Sequence, residues 1–290
     1  GREHGVSDVS NNNFDEWVGT SREQRERIDR ALPAGMSAAL DRDDPPPRDG
    51  DPLPPCWHWM FFRDATVQSE LGADGLPERG ALMPPVPLPR RMWAGSRIRF
   101  EAPLRLGETA LKRSEIESIT EKSGKSGKLV FVNLRHTVSN AADEVAIEEE
   151  QNIVYTEAPR PDAAAPPRRA PADAAWRREL RPDPVLLFRY SALTFNPHRI
   201  HYDQPYCTEE EGYPGLVVHG PLIATLMVDL CRRSRPDSEI KEFSFRAMAP
   251  LFVDHAMVLG GAPSDDGASA AVWAADDSGG LASQGEVKFA

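Results

Sequence analysis

The sequence predicts an α+β protein in which long antiparallel sheets wrap central helices, in two copies joined by a linker. Three observations carry this. From Ser96 to Thr156 the apolar residues alternate with period two through several long runs. From Pro221 to Arg233 they fall on nearly every helical face, as in a helix buried all round. Between these regions lies a stretch rich in Ala, Pro and Arg. The expected division is therefore an N-terminal unit over 1–156, a linker over 157–184 and a C-terminal unit over 185–290. At 290 residues the chain has room for two units of ordinary size. No self-similarity in sequence relates the two halves.

In chain order, the segment up to Asp44 is expected to be mainly helical, with Thr20 or Ser21 capping the run Arg22 to Ile28. A Pro/Asp loop at Asp43–Pro47 leads to the aromatic cluster Cys56–Phe62, whose Trp57, Trp59, Phe61 and Phe62 most simply pack a core. Leu82 to Trp93 is too proline-rich for a helix or central strand. Arg97–Phe100 alternates, and Ala110–Lys122 reads as one long strand. Ser123–Gly127 reads as a hairpin turn, since it lacks the spacing and following helix of a phosphate loop. Leu129–Val138 returns with Val130, Val132, Leu134, His136 and Val138 on one face, and Val145–Tyr155 completes a meander. Beyond the linker a short strand is expected at Leu186–Ser191, then an irregular loop over Thr194–Val218. The helix from Pro221 follows, with strands near 240–247, 254–260, 268–275 and 284–289.

Composition narrows function. Thirty-four Lys and Arg against 45 Asp and Glu leave a net charge of -11, which argues against a duplex nucleic-acid binder. A few well-placed arginines can still receive an anionic ligand. Cys56, Cys207 and Cys231 are widely spaced, so no zinc or disulfide framework is readable and no metal is expected. The longest apolar stretch, Leu222–Leu230, is too short to span a bilayer and carries Asp229, so no membrane association is expected. With no apolar signal core near the N-terminus, a cytoplasmic location is the expectation.

The stretch that speaks to chemistry is Tyr190-Ser191-Ala192-Leu193-Thr194-Phe195-Asn196-Pro197-His198-Arg199-Ile200-His201-Tyr202-Asp203, followed by His219-Gly220-Pro221 at the helix start. It resembles the signature of the MaoC-like hotdog hydratases: a Tyr-Ser-x-Leu-Thr lead-in, a histidine loop and a His-Gly pair opening the central helix. The version here is closer to the branch of mitochondrial 3-hydroxyacyl-thioester dehydratases and bacterial mesaconyl-CoA-type hydratases. Leu88–Gly95, Ser123–Val132 and Glu150–Tyr155 are similar to that branch as well. The resemblance spans roughly residues 50–156 and 186–250. It implies a double hotdog and a hydro-lyase that adds or removes water across an enoyl/3-hydroxyacyl thioester, on CoA or an acyl carrier, without a cofactor.

Set against the family pattern without gaps, His201 falls on the family's histidine and Asn196 on its usual aspartate. An amide exchanges no proton near neutral pH, so Asn196 is expected only to orient water or substrate, with His201 the main proton carrier. Asp203 is a candidate for fixing a histidine tautomer, and His198 a structural residue or weaker catalyst. Gly220 is assigned the oxyanion role, because an amide at a helix start is unpaired and sits at the positive end of the dipole. Tyr190, Arg199 and His219 complete the expected substrate contacts. Arg90, Arg91 and Arg246 are further candidates for CoA phosphates. Each has an ordinary structural alternative: packing for Tyr190, capping for His219, a solvated surface for the arginines.

Two other readings stand beside this one. A hotdog thioesterase would need a carboxylate near the central helix, and Asp229 lies about two turns from its start. A non-catalytic acyl-thioester binder would explain an Asn at the Asp position. One competent site is expected, in the second half, since no matching histidine loop precedes residue 156. The two units are expected to pair within the chain, and the sequence leaves a monomer and a homodimer of such chains both open.

Overall fold

The computed structural model describes residues 14–78, 82–125, 127–157 and 166–290. Among the described residues ten strands make one antiparallel sheet. They are β1 (Ser21–Arg27), β2 (Arg90–Phe100), β3 (Thr109–Gly124), β4 (Gly127–Ser139), β5 (Val145–Thr156), β6 (Trp176–Leu180), β7 (Ile240–Ala247), β8 (Met257–Pro263), β9 (Ser269–Ala275) and β10 (Leu281–Phe289). Their spatial order is β1-β3-β4-β5-β2-β7-β10-β9-β8-β6, so five strands of each half lie together. The halves meet where β2 pairs with β7, from Gly95 opposite Arg246 to Arg99 opposite Glu242. Glycine is required at that seam, because a Cβ on Gly95 would collide with the Phe245 carbonyl.

The period-two expectation holds: Val130, Val132, Leu134, His136 and Val138 alternate as the buried face of β4. The apolar segment of the second half is a helix, α3 (Gly220–Ser234), with every residue from Leu222 to Cys231 buried. It packs against β6–β10 and joins Trp57, Met60, Phe61 and Phe62 in one core that spans both halves. The helical material of the first half is slighter: α1 (Ala31–Ala39) and a 3-10 turn at Trp57–Met60.

Four local expectations are corrected. The run Arg22–Arg27 is strand β1, not helix, paired from Ser21 opposite Glu115 to Arg27 opposite Thr109. Its Arg, Glu and Gln favour helix by propensity, but the exposed edge of β3 supplies a ladder, and charged side chains suit an edge strand. Leu186–Ser191 is helical, within α2 (Pro184–Thr194). The Asp183 carboxylate caps it by accepting the Leu186 N–H, Pro184 fits its first turn, and Leu187 and Tyr190 bury one face at helical spacing. Arg90–Trp93 belongs to β2, since the prolines end at Pro89, one residue before the strand. Within the expected linker, Trp176–Leu180 forms β6 on the outer edge of β8. Residues 1–13 of the segment expected to be helical, and 158–165 of the linker, lie outside the described residues.

Candidate active site

The histidine loop is shaped by short-range bonds that its sequence dictates. α2 stops at Phe195, whose φ of 52° lies in the left-handed region, and the Asn196 N–H returns to the Ser191 carbonyl. The Asn196 side-chain oxygen accepts the His198 N–H in an Asx turn. A 3-10 turn at Arg199–His201 then delivers His201 inward. Buried Ile200 anchors it, its carbonyl accepting the Val217 N–H at 3.0 Å.

His201 is only 6% exposed, and its Nδ1 lies 2.7 Å from the Val217 carbonyl. A carbonyl can only accept, so Nδ1 carries the proton and Nε2 is left with its lone pair. Burial lowers the imidazole pKa to about 3, against the opposing pull of the Val217 bond, so the ring is neutral at neutral pH. His219 stacks on it with ring centroids 3.7 Å apart and planes 19° from parallel. His219 is fully buried and likewise held far below the usual imidazole range, by burial and then by His201 and His198. Its Nε2 shares a 2.7 Å hydrogen bond with Ser191 Oγ, while Nδ1 is buried without a partner. The Tyr190 ring meets His219 edge-on at 4.9 Å.

His219 is also the residue preceding α3, and its side chain makes no capping bond. The first amides of α3 therefore open beside the stacked imidazoles, at the positive end of the helix dipole. Gly220 is the first residue of α3, and a Cβ built there meets nothing within 4 Å. Open space stands beside its backbone.

The structure thus brings together His201, His219, Gly220 and Tyr190, as expected. Asn196 shapes the turn; its carbonyl oxygen serves the His198 amide. Arg199 does not face the cluster as a free phosphate contact. Its guanidinium binds Asp203 at 2.8 Å and the Ala73 carbonyl at 2.9 Å, and covers the Tyr206 ring at 3.9 Å. Asp203 is held by Arg199 and caps the Tyr206 N–H, so the tautomer of His201 is set by Val217 and not by Asp203. Arg90 bonds the Glu211 carbonyl and lies over the Tyr213 ring.

Three partners escape sequence reading. Ser191 lies in the quoted lead-in, but its pairing with His219 across 28 residues depends on where α2 ends. The Val217 carbonyl is a backbone group, invisible to composition. Glu211, whose Oε1 lies 3.8 Å from His198 Nε2, hides in the acidic run Glu209–Glu211, and that contact with His198 draws its carboxyl below the usual range. Asp229, the acid a thioesterase would need, is 1% exposed and clasped by Arg42 at 2.6 Å, Arg233 at 2.5 Å and Arg178 at 3.3 Å.

Comparisons with known proteins give the family and the fold. The family of hydroxyacyl-thioester dehydratase type 2 proteins matches residues 56–253. The chain is 50% identical over 240 residues to mesaconyl-C(4)-CoA hydratase of Chloroflexus aurantiacus, covering 81% of this chain and 84% of that protein. It is 31% identical over 227 residues to the mitochondrial hydroxyacyl-thioester dehydratase type 2 of Schizosaccharomyces pombe, covering 70% and 75%. Among solved structures, a MaoC-like dehydratase superposes with a TM-score of 0.67 at 13% identity, over 94% of this chain and 98% of that one. A Mycobacterium tuberculosis protein described as a double hotdog gives 0.56 at 16% identity, over 94% and 96%. At such identities these two structures speak for the fold alone, which is the expected double hotdog. The chain belongs to the hydroxyacyl-thioester dehydratase type 2 family.

Proposed function

We propose that this chain is a hydro-lyase that reversibly hydrates an enoyl-CoA thioester, a mesaconyl-type dicarboxylic ester being the leading substrate. One observation carries the reading: a buried, neutral imidazole with its Nδ1–H given to Val217 stands, through its stack on His219, at the uncapped start of α3. The relative from Chloroflexus aurantiacus supports the choice of substrate by its name.

In this reading the thioester oxygen accepts the Gly220 N–H, which stabilises the negative charge that grows there during addition or elimination. His201 Nε2 takes a proton from the attacking water as its oxygen bonds to the β-carbon. The depressed pKa makes the resulting imidazolium a strong acid, ready to hand the same proton to the α-carbon. One imbalance of the loop is thereby resolved: no carboxylate is needed at 196, because a single imidazole both receives and returns the proton. His219 keeps the ring of His201 in plane, with Ser191 holding His219 in turn.

The test is loss of enoyl absorbance with mesaconyl-CoA and crotonyl-CoA. Turnover of at least one that collapses in His201→Ala is the expected result. Tight CoA-ester binding without turnover would instead establish a binding module, and thiol release would establish a thioesterase. Among the described residues no helix is long and apolar enough to cross a membrane. We infer a cytoplasmic homodimer, checked by light scattering of the purified chain and by cell fractionation.

A further inference from the structure

A cavity of about 420 Å³ opens at the end of α3 opposite Gly220. One wall is built from Leu53, Phe100, Leu104 and Ile147 of the first half, and the other from Arg232, Arg235 and Ile240 of the second. Arg232 lies twelve residues along α3 from Gly220, which is about 18 Å at 1.5 Å per residue. The second carboxylate of a short dicarboxylic acyl group, held with its thioester at Gly220, cannot reach it.

Four arginines line the cavity, and three are already engaged. Arg42 is paired with Asp44 and Asp229. Arg105 donates to the Gly50 carbonyl. Arg235 donates to Ser238 Oγ and the Gly267 carbonyl and lies 4.1 Å from the Phe289 ring centroid. Arg232 differs: its Nη1 is buried without a hydrogen-bond partner, and its guanidinium rests over the Trp57 ring at 5.3 Å. Burial and the neighbouring Arg42 lower its pKa to about 10, which leaves it cationic at neutral pH. The acid lining the cavity, Glu239, is exposed. A half-buried guanidinium with one buried N–H and no acceptor is an arrangement that an anion would relieve. The walls are apolar and proline-rich, and the Arg232 charge is met only at longer range by Asp229 and Asp44.

We propose that this cavity binds a monocarboxylate with a short apolar tail, its carboxylate on Arg232 and its tail among Leu53, Phe100, Leu104 and Ile147. The ligand class matches the free acids released when acyl thioesters hydrolyse, so occupancy would report the acyl pool to the enzyme without touching the His201 site.

The probe is hexanoate, titrated by calorimetry into the full chain, with inorganic phosphate as the second arm. Expected are saturable hexanoate binding, a loss of affinity of at least tenfold in Arg232→Leu, and no comparable binding of phosphate. Ala102→Trp, which fills the cavity from the opposite wall and leaves Arg232 in place, is expected to abolish binding too. Hydration kinetics without hexanoate should be unchanged in both variants, which separates this proposal from the assignment of the His201 site. Hexanoate binding that persists in Ala102→Trp, competes with the CoA ester, or gives way to equal phosphate binding overturns it.

Discussion

Each half of the molecule buries a histidine-bearing polar cluster, and the two are wired in opposite senses. In the first half the Glu149 carboxylate, 3% exposed, accepts from His58 at 2.8 Å, Trp59 at 3.0 Å and Ser96 at 2.8 Å. Burial opposes its ionisation, but bonds and charge from His58, aided by His136 and Ser96, lower its pKa to about 2. In the second half no carboxylate among the described residues bonds His201; burial holds it neutral, with Nε2 left over once the Val217 carbonyl accepts from Nδ1–H. A carboxylate whose oxygens are all answered is a strut. In the reading proposed above, an imidazole with a lone pair to give, beside the start of α3, is the reagent. The difference lies in the carboxylate, whose two oxygens are both bonded; an unused nitrogen alone does not mark a site, since His58 Nδ1 in the first cluster is also buried without a partner.

The comparison breaks most readily at Glu149. Removing one partner of a buried pair costs about 3–5 kcal/mol, so Glu149→Ala should lower the urea unfolding free energy by that amount while the folded fraction keeps its turnover. Unchanged stability with lost hydration would move the chemistry to the first half. His201→Ala should do the reverse. We expect kcat/KM to fall by at least roughly 10²-fold, the scale of general acid–base catalysis, with the unfolding midpoint little changed. Gly220→Ala sharpens the oxyanion assignment, since the added methyl meets no protein atom within 4 Å. A loss of about tenfold in kcat/KM, or roughly 1.4 kcal/mol, with the fold intact is expected if the thioester uses that space. Full activity would remove Gly220 from the site.

Stability should also follow pH in a defined direction. His201 and His136 titrate near 3 and 4 in the folded chain, both chiefly through burial, against about 6.5 unfolded. Between those values the unfolded chain binds more protons. Stability is therefore complete above about pH 6.5 and is lost as pH falls, by at most about 1.4 kcal/mol per pH unit for each histidine. In His201→Ala the slope between pH 6.5 and 5 should be shallower; an identical slope would mean that the ring is not held neutral. Arg199→Ala should have the smallest effect, leaving KM for the CoA ester unchanged, because its guanidinium serves Asp203, Ala73 and Tyr206. A large rise in KM would restore it to the substrate site.

Much of this was legible before any coordinates. Alternation along Leu129–Val138 foretold the buried face of β4, and apolar residues on every side of Leu222–Leu230 foretold α3. Asp183-Pro184 is a helix start that reading Leu186–Ser191 as a strand passed over. By contrast, nothing local in Arg22–Arg27 declares a strand, because the partner that makes it one lies some ninety residues further on.

The long strands, the buried helix and the candidate residues at 201, 219 and 220 were readable from the chain alone, since periodicity and motif spacing are local properties. Only the tertiary fold decided which groups answer one another: the Val217 carbonyl accepting the His201 Nδ1–H, Ser191 bonding His219, and three arginines closing over Asp229. Those choices depend on burial and on donors and acceptors far apart in the chain. They fix the protonation state of each buried group.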